Sequence, residues 1–298
     1  MNSRIFGFLI VLALISIIPI ANAQISIGAS AIQKSVEVII NLEGNVHVKH
    51  IVYSSNLPKD LELIYGTVSN ISVTNEQNEE LLFTTNNDNS VVLIQPSNEK
   101  STIEYDLEHA LVQIDNVWTW DFRYLETTSF ILPEEVNVIF TNERPVLLDK
   151  KKGISCHGCQ MVLEYSINEP KNFENVTWED KEFVVEILSH SNIENFVFNQ
   201  PTKSISFDVS NENQFVTTII PLELLWNPYV VFLDDEKIFF HEYNNDGTHV
   251  WLSLKPETSG TISIIGTTVI PEFPIIAPLA IGFLMILVLP FTRKFNLH

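Results

Sequence analysis

Between its two apolar ends, this chain nowhere sustains apolar residues at helical spacing for three turns. Short runs alternate apolar and polar side chains instead, and polar clusters interrupt them every 8 to 12 residues. A period of two places alternate side chains on opposite faces of a strand, so each run has one face to bury. Closely spaced short strands of this kind predict an all-β fold of the sandwich type. Glycine is scarce, at 10 of 298 residues, and asparagine-rich clusters take its place between the runs.

The runs fall into two groups. Residues 24–168 read as a first β-sandwich domain, with hairpins turning at Glu43-Gly44-Asn45 and at Asn86-Asn87-Asp88-Asn89. Its most structured stretch is Val117 to Leu125, where Trp118, Trp120, Phe122 and Tyr124 occupy every second position. In a strand these rings share one face, and Thr119, Asp121 and Arg123 point the other way. The expectation is a core strand, and an aromatic platform for a glycan or another apolar ligand is the functional alternative. Residues 169–182 are polar and turn-rich, and read as a linker. Residues 183–268 hold seven short runs, the strand count of a small immunoglobulin-like sandwich. Asp234-Asp235 and Asn244-Asn245-Asp246-Gly247 supply hairpin turns there, because Asn, Asp and Gly tolerate positive φ.

The two ends set the topology. Arg4, the apolar run Phe6 to Ile20 and Ala21-Asn22-Ala23 follow the plan of a secretory signal peptide over residues 1–23, cleaved after Ala23. Ile270 to Phe291 is apolar over about the length that spans a bilayer, with Arg293 and Lys294 immediately after it. Basic residues in that position favour the cytoplasmic side, so the segment is expected to be a membrane anchor with residues 24–268 outside.

The order Pro271-Glu272-Phe273, apolar helix, then Arg293-Lys294 over residues 269–298 resembles the C-terminal sorting signal of archaeal surface proteins. The resemblance implies that a sorting enzyme of the archaeosortase type cuts near the motif and replaces the helix with a lipid anchor. Pro278 and Pro290 inside the apolar run depart from an uninterrupted helix. The series Ile205-Ser206-Phe207-Asp208-Val209, Ile219-Ile220-Pro221-Leu222 and Pro228-Tyr229-Val230-Val231 resembles a membrane-proximal β-domain of archaeal secreted proteins. That resemblance implies a stalk or presentation module and carries no catalytic residues.

Charge narrows the partners. The formal net charge of −20 repels nucleic acid and anionic lipid. Cys156 and Cys159, the only cysteines, stand in Ser155-Cys156-His157-Gly158-Cys159. Three readings are open: a local disulfide, which is the working expectation for an exported chain, a metal site completed by a histidine from elsewhere, and a redox-active pair. His47 and His50 lie on opposite faces of a strand and make poor co-ligands. A solvated side chain is the expectation for each of His47, His50, His109, His190, His241 and His249, and His249 is expected across a hairpin from Glu242. Asn86-Asn87-Asp88-Asn89 and Asp234-Asp235-Glu236 lack the spacing of a calcium loop and read as turns. Asn70-Ile71-Ser72 and Asn175-Val176-Thr177 are glycosylation sequons.

Taken together, the expectation is an all-β chain of two tandem immunoglobulin-like β-sandwiches between a signal peptide and a C-terminal transmembrane segment. It would be an envelope-anchored cell-surface protein in an adhesion or presentation role, with no enzymatic activity and no cofactor. Its partners would be the membrane, the sorting enzyme, and S-layer proteins, other envelope proteins or glycans. The alternative is a metal- or redox-linked surface protein centred on Cys156 and Cys159.

Overall fold

The computed structural model describes residues 28–148, 152–178 and 180–267. The signal segment with Ala23, the motif Pro271-Glu272-Phe273, the apolar segment and Arg293-Lys294 all lie outside the described residues. What is described is all-β, and no helix within it is long and apolar enough to cross a membrane.

The strands in chain order begin with β1 (Ala29–Ser30), β2 (Gln33–Ile40), β3 (Val46–Val52), β4 (Lys59–Glu62), β5 (Thr67–Thr74), β6 (Phe83–Thr85), β7 (Val91–Ile94) and β8 (Ser101–Glu108). Next come β9 (Val112–Ile114), β10 (Val117–Tyr124), β11 (Thr128–Ile131), β12 (Val138–Thr141), β13 (Arg144–Leu147), β14 (Gly153–Cys156) and β15 (Cys159–Ser166). The remainder are β16 (Lys171–Trp178), β17 (Lys181–Ser189), β18 (Ile193–Asn199), β19 (Ser204–Val209), β20 (Val216–Pro221), β21 (Trp226–Leu233), β22 (Glu236–Ile238), β23 (His241–Asn245), β24 (His249–Leu254) and β25 (Gly260–Thr267).

They fall into two compact units. The first runs to Val36 and resumes over Val48–Asp106, and the second takes Glu37–His47 and everything described from Leu107 onward. No boundary of these two units falls in residues 169–182, the stretch read as a linker. That stretch contains β16, which pairs along its whole length with β17, from Lys171 opposite Leu188 to Trp178 opposite Lys181. β16 looks polar because it is an edge strand: only Val176 and Trp178 are buried, while Lys171, Phe173, Asn175 and Thr177 are exposed.

In the first unit, β1-β4-β7-β6 form one sheet, with β1 and β4 parallel and the remaining pairs antiparallel. Alternation does its expected work. Leu61, Val92 and Ile94 are buried from this sheet, and Val48, Val52, Ile103 and Tyr105 from β3 and β8. His50 follows the same period and is fully buried, against the expectation of a solvated ring. The alternation of Val46, Val48 and Val52 with exposed-side partners was the signal that placed it inside.

A buried imidazole needs partners for both nitrogens. Gln33 Oε1 lies 2.7 Å from His50 Nδ1, and a carbonyl oxygen only accepts, so Nδ1 carries the proton. Nε2 then accepts from the Tyr105 hydroxyl at 3.0 Å. That hydroxyl in turn accepts from the Ile64 backbone N–H at 3.0 Å, tying β8 to the segment that follows β4. The rings of His50 and Tyr105 lie stacked, with centroids 5.5 Å apart. The Nε2 step requires neutral imidazole, because a protonated Nε2 cannot accept, and burial pushes the His50 pKa down to about 3.

In the second unit, β13-β12-β15-β10-β9 form one sheet and β11 pairs with β14. The aromatic strand β10 is a core strand. Trp120 and Phe122 are buried and Asp121 and Arg123 are exposed. Phe122 meets Phe130 of β11 edge to face at 4.8 Å, and Trp120 meets Phe122 likewise at 5.1 Å, a favoured aromatic geometry. Trp118 covers the turn at Gly44, where φ is +77° and any side chain would run into the indole.

Two further five-stranded sheets, β16-β17-β20-β24-β23 and β18-β19-β25-β21-β22, face each other across one core. Val185, Ile187, Val216, Ile220 and Leu252 come from the first and Ile205, Phe207, Val231, Ile262 and Ile264 from the second. Ten strands thus stand where seven were expected. β16 and β18 are additional edge strands, and the run Ile238 to Tyr243 divides between β22 in one sheet and β23 in the other. The Asp234-Asp235 turn joins β21 to β22 with both residues at positive φ, 47° and 68°.

His50 makes the first unit acid-sensitive. Its folded pKa is depressed below the unfolded value, so its contribution is complete above about pH 6.5 and is lost as pH falls toward 3. Urea midpoints should report about 2 kcal/mol lost from this group between pH 7 and pH 5, and His50→Gln should lack that increment.

Candidate functional site

The clearest signal of a built site is where the period of two fails. On β12 both Ile139 and Phe140 are buried, and on β15 Glu164 is buried between Leu163 and Tyr165. Thr217 of β20 and Ser253 of β24 are buried on the face of their sheet that points away from the core. A strand buried on both faces has a second layer against it.

Phe140 and Glu164 are cross-strand partners on β12 and β15. The Phe140 ring stacks on Phe215, just ahead of β20, with centroids 3.4 Å apart and planes 9° from parallel. Lys255, just after β24, reaches Glu164 at 2.8 Å and lies 4.8 Å above the Phe215 ring. The side chains of Lys255 and Glu164 are only 20% and 9% exposed, so the pair is largely withdrawn from water. Cation, carboxylate and two rings therefore clamp the β12–β15 layer to the β20–β24 layer inside the second unit.

An open cleft of about 430 Å³ lies beside this clamp. Its lining includes Glu143, from the β12–β13 turn, Glu236, Lys237, Phe239 and His241 from the segment around β22 and β23, and Lys255 and Glu257 after β24. Phe239 is 76% exposed, and its ring meets His241 edge on at 4.6 Å. Burial and then the charge of Arg144 hold the His241 pKa below its ordinary value, and Glu143 opposes them. The lining offers an aromatic face flanked by carboxylate, ammonium and imidazole groups. That is the equipment for holding a polar ligand with one flat apolar side. Nothing in the linear order of Glu143, Phe239 and Lys255 marks them as neighbours.

Glu169 and Tyr243 form a separate titrating pair. Burial raises the Glu169 pKa to about 7, against the pull of Lys171. Tyr243 is pushed up to about 12, chiefly by burial, with the Glu169 charge adding to the rise and a hydrogen bond with Thr217 opposing it.

The residues singled out from sequence are dispersed. Cys156 and Cys159 form a disulfide, across the two-residue turn His157-Gly158 that joins β14 to β15. The two strands pair in different directions, β14 with β11 and β15 with β10 and β12, so the bond pins a point where the chain changes sheets. Gly158 holds a φ of +60° there, and Thr127 Oγ1 lies 2.6 Å from His157 Nδ1. A cystine has no thiolate to give a metal, and no three His, Cys, Asp or Glu side chains among the described residues converge as a metal set.

Asn86 caps its own hairpin by accepting from the Val91 N–H, as turn chemistry requires. Asp246 accepts from the Thr248 and His249 N–H groups and from the Thr248 hydroxyl, which lower its pKa to about 2. His249 does not oppose Glu242. β23 runs on to Asn245 with a bulge between Glu242 and Asn244, and Glu242 faces Leu252. The extra residue shifts the register. Asn70 and Asn175 are both exposed.

No protein-family model and no curated protein sequence matches this chain.

Breaking the clamp should cost more than a surface ion pair does. Lys255→Ala leaves Glu164 without its cation, and denaturant unfolding should show a loss of about 2–4 kcal/mol. The double variant Lys255→Met, Glu164→Leu should lie within ~1 kcal/mol of the native chain. Glu169 works in the opposite sense to His50: its raised pKa stabilises the fold at low pH and that contribution is lost as pH rises through about 7. Glu169→Gln should therefore gain about 1–3 kcal/mol over the native chain at pH 8 and little at pH 4, read from urea midpoints.

Proposed function

We propose that this protein is an exported, envelope-anchored surface protein whose β-sheet ectodomain presents a binding surface. The observation that carries the reading is the order of signals at the two ends: Arg4, the apolar run and Ala21-Asn22-Ala23 at one, and Pro271-Glu272-Phe273, the apolar run and Arg293-Lys294 at the other. The disulfide spacing of Cys156 and Cys159 fits an oxidising compartment, and the net charge of −20 suits a solvated exterior and disfavours nucleic acid. In this reading the chain is cut after Ala23, and Pro271-Glu272-Phe273 directs a sorting enzyme to exchange the apolar segment for a lipid. Arg293 and Lys294 hold the segment in the membrane until then. The clamp of Lys255, Glu164, Phe140 and Phe215 makes the second unit a rigid support, and the cleft beside it offers a contact site for an envelope protein or a glycan. No catalysis is assigned to it.

Mass spectrometry of the chain recovered from the native cell envelope tests this. The expected result is a new N-terminus at Gln24, oxidised cysteines and a C-terminus near Phe273 bearing a lipid mass. Peptides extending intact to His298 would remove the sorting step and leave a permanent membrane anchor. An uncut chain with free thiols in the cytosolic fraction would overturn the reading.

A further inference from the structure

We propose that Asn175 carries an N-linked glycan and that Asn70, the other sequon, does not. The inference rests on export, as argued above, and goes beyond it by assigning the modified atom. Asn175 lies in the middle of β16, the edge strand of its sheet, and both Asn175 and Thr177 are exposed. Two residues apart in a strand, they share one face, so the acceptor amide and the sequon hydroxyl stand side by side in solvent. The Asn175 amide has no hydrogen-bond partner among the described residues.

Asn70 is also exposed, on β5 at the end of its sheet, but its amide is engaged. Its Nδ2 donates to Asp106 Oδ2 at 2.8 Å, and its backbone sits at a left-handed φ of 54° that fixes where the side chain points. The sequon partner Ser72 is half-buried.

The surroundings of Asn175 also give a glycan something to cover. Asn175 pairs across the ladder with Val184, and Phe173 is its neighbour on the same face. Phe173 is 59% exposed and Val184 47%, an apolar strip next to an unpaired strand edge. Open edges with apolar side chains invite pairing with other chains, and a bulky hydrophilic group on the edge prevents it. The transfer balances with a lipid-linked sugar phosphate as donor. Asn175 Nδ2 loses one proton and bonds to the anomeric carbon of the sugar, the bond from that carbon to the phosphate oxygen breaks, and the lipid phosphate leaves.

The test uses the full-length chain expressed in its native host and purified from the envelope, with peptide mass spectrometry and gel mobility as readouts. The peptide containing Asn175 should carry a hexose- or N-acetylhexosamine-containing mass and the peptide containing Asn70 should not. Asn175→Gln and Thr177→Val should both lose the added mass and migrate faster, while Asn70→Gln should migrate as the native chain does. Thr177→Val keeps the asparagine, so its loss of mass reports the sequon and not the amide. A chain processed to Gln24 with an unmodified Asn175 peptide would overturn the inference and leave export standing. Added sugar on Asn70 would overturn the geometric choice between the sequons. An unprocessed cytosolic chain would overturn both the inference and the reading it rests on.

Discussion

A β-sheet with one apolar face is stable only when something covers that face, and this chain meets the requirement more than once. Trp120 and Phe122 are covered by Phe130. The sheet containing β20 and β24 is covered on its inner side by β19, β21 and β25. Part of its outer side is covered again, where Phe140 and Glu164 grip Phe215 and Lys255. The second covering decides the shape of the second unit. It buries Thr217 and Ser253, which alternation alone would leave in water.

Polar groups drawn into these layers are handled in two ways. In the first unit, Gln33, His50, Tyr105 and the Ile64 N–H form a chain in which each of these bonds has a defined donor and acceptor. It works with neutral imidazole, which is why acid acts against it. At the clamp, the charge on Lys255 is answered by a carboxylate and an aromatic face. The opposite responses of His50 and Glu169 to pH follow from the same cause, burial, acting on a base and on an acid.

Much of the strand pattern was legible. Val46 to Val52, Ser101 to Leu107, Val117 to Tyr124, Phe183 to Leu188 and His249 to Leu254 all alternate as strands should, and they form β3, β8, β10, β17 and β24. The turns were legible too, because Asn89, Asp234 and Asp235 hold the positive φ that their side chains tolerate. β16 was missed because an edge strand buries too little to alternate visibly. The Glu242 register was missed because a bulge leaves no mark on composition. The position of His50 is legible in the period of β3, which overrides the usual preference of histidine for solvent. The cleft was not legible at all: Glu143, Phe239 and Lys255 come from separated segments and meet only through the docking of two layers.

By itself, the sequence determined that this chain is built of strands, where most of them turn, and which of their faces are apolar. Those are local properties, carried by side-chain period and by residues that tolerate positive φ. The tertiary structure alone decided which strand lies beside which, that residues 169–182 hold an edge strand, and that Phe140, Glu164, Phe215 and Lys255 meet. Pairing and layer docking depend on contacts between segments far apart in the chain, and strand periodicity is the same whichever partner a strand finds.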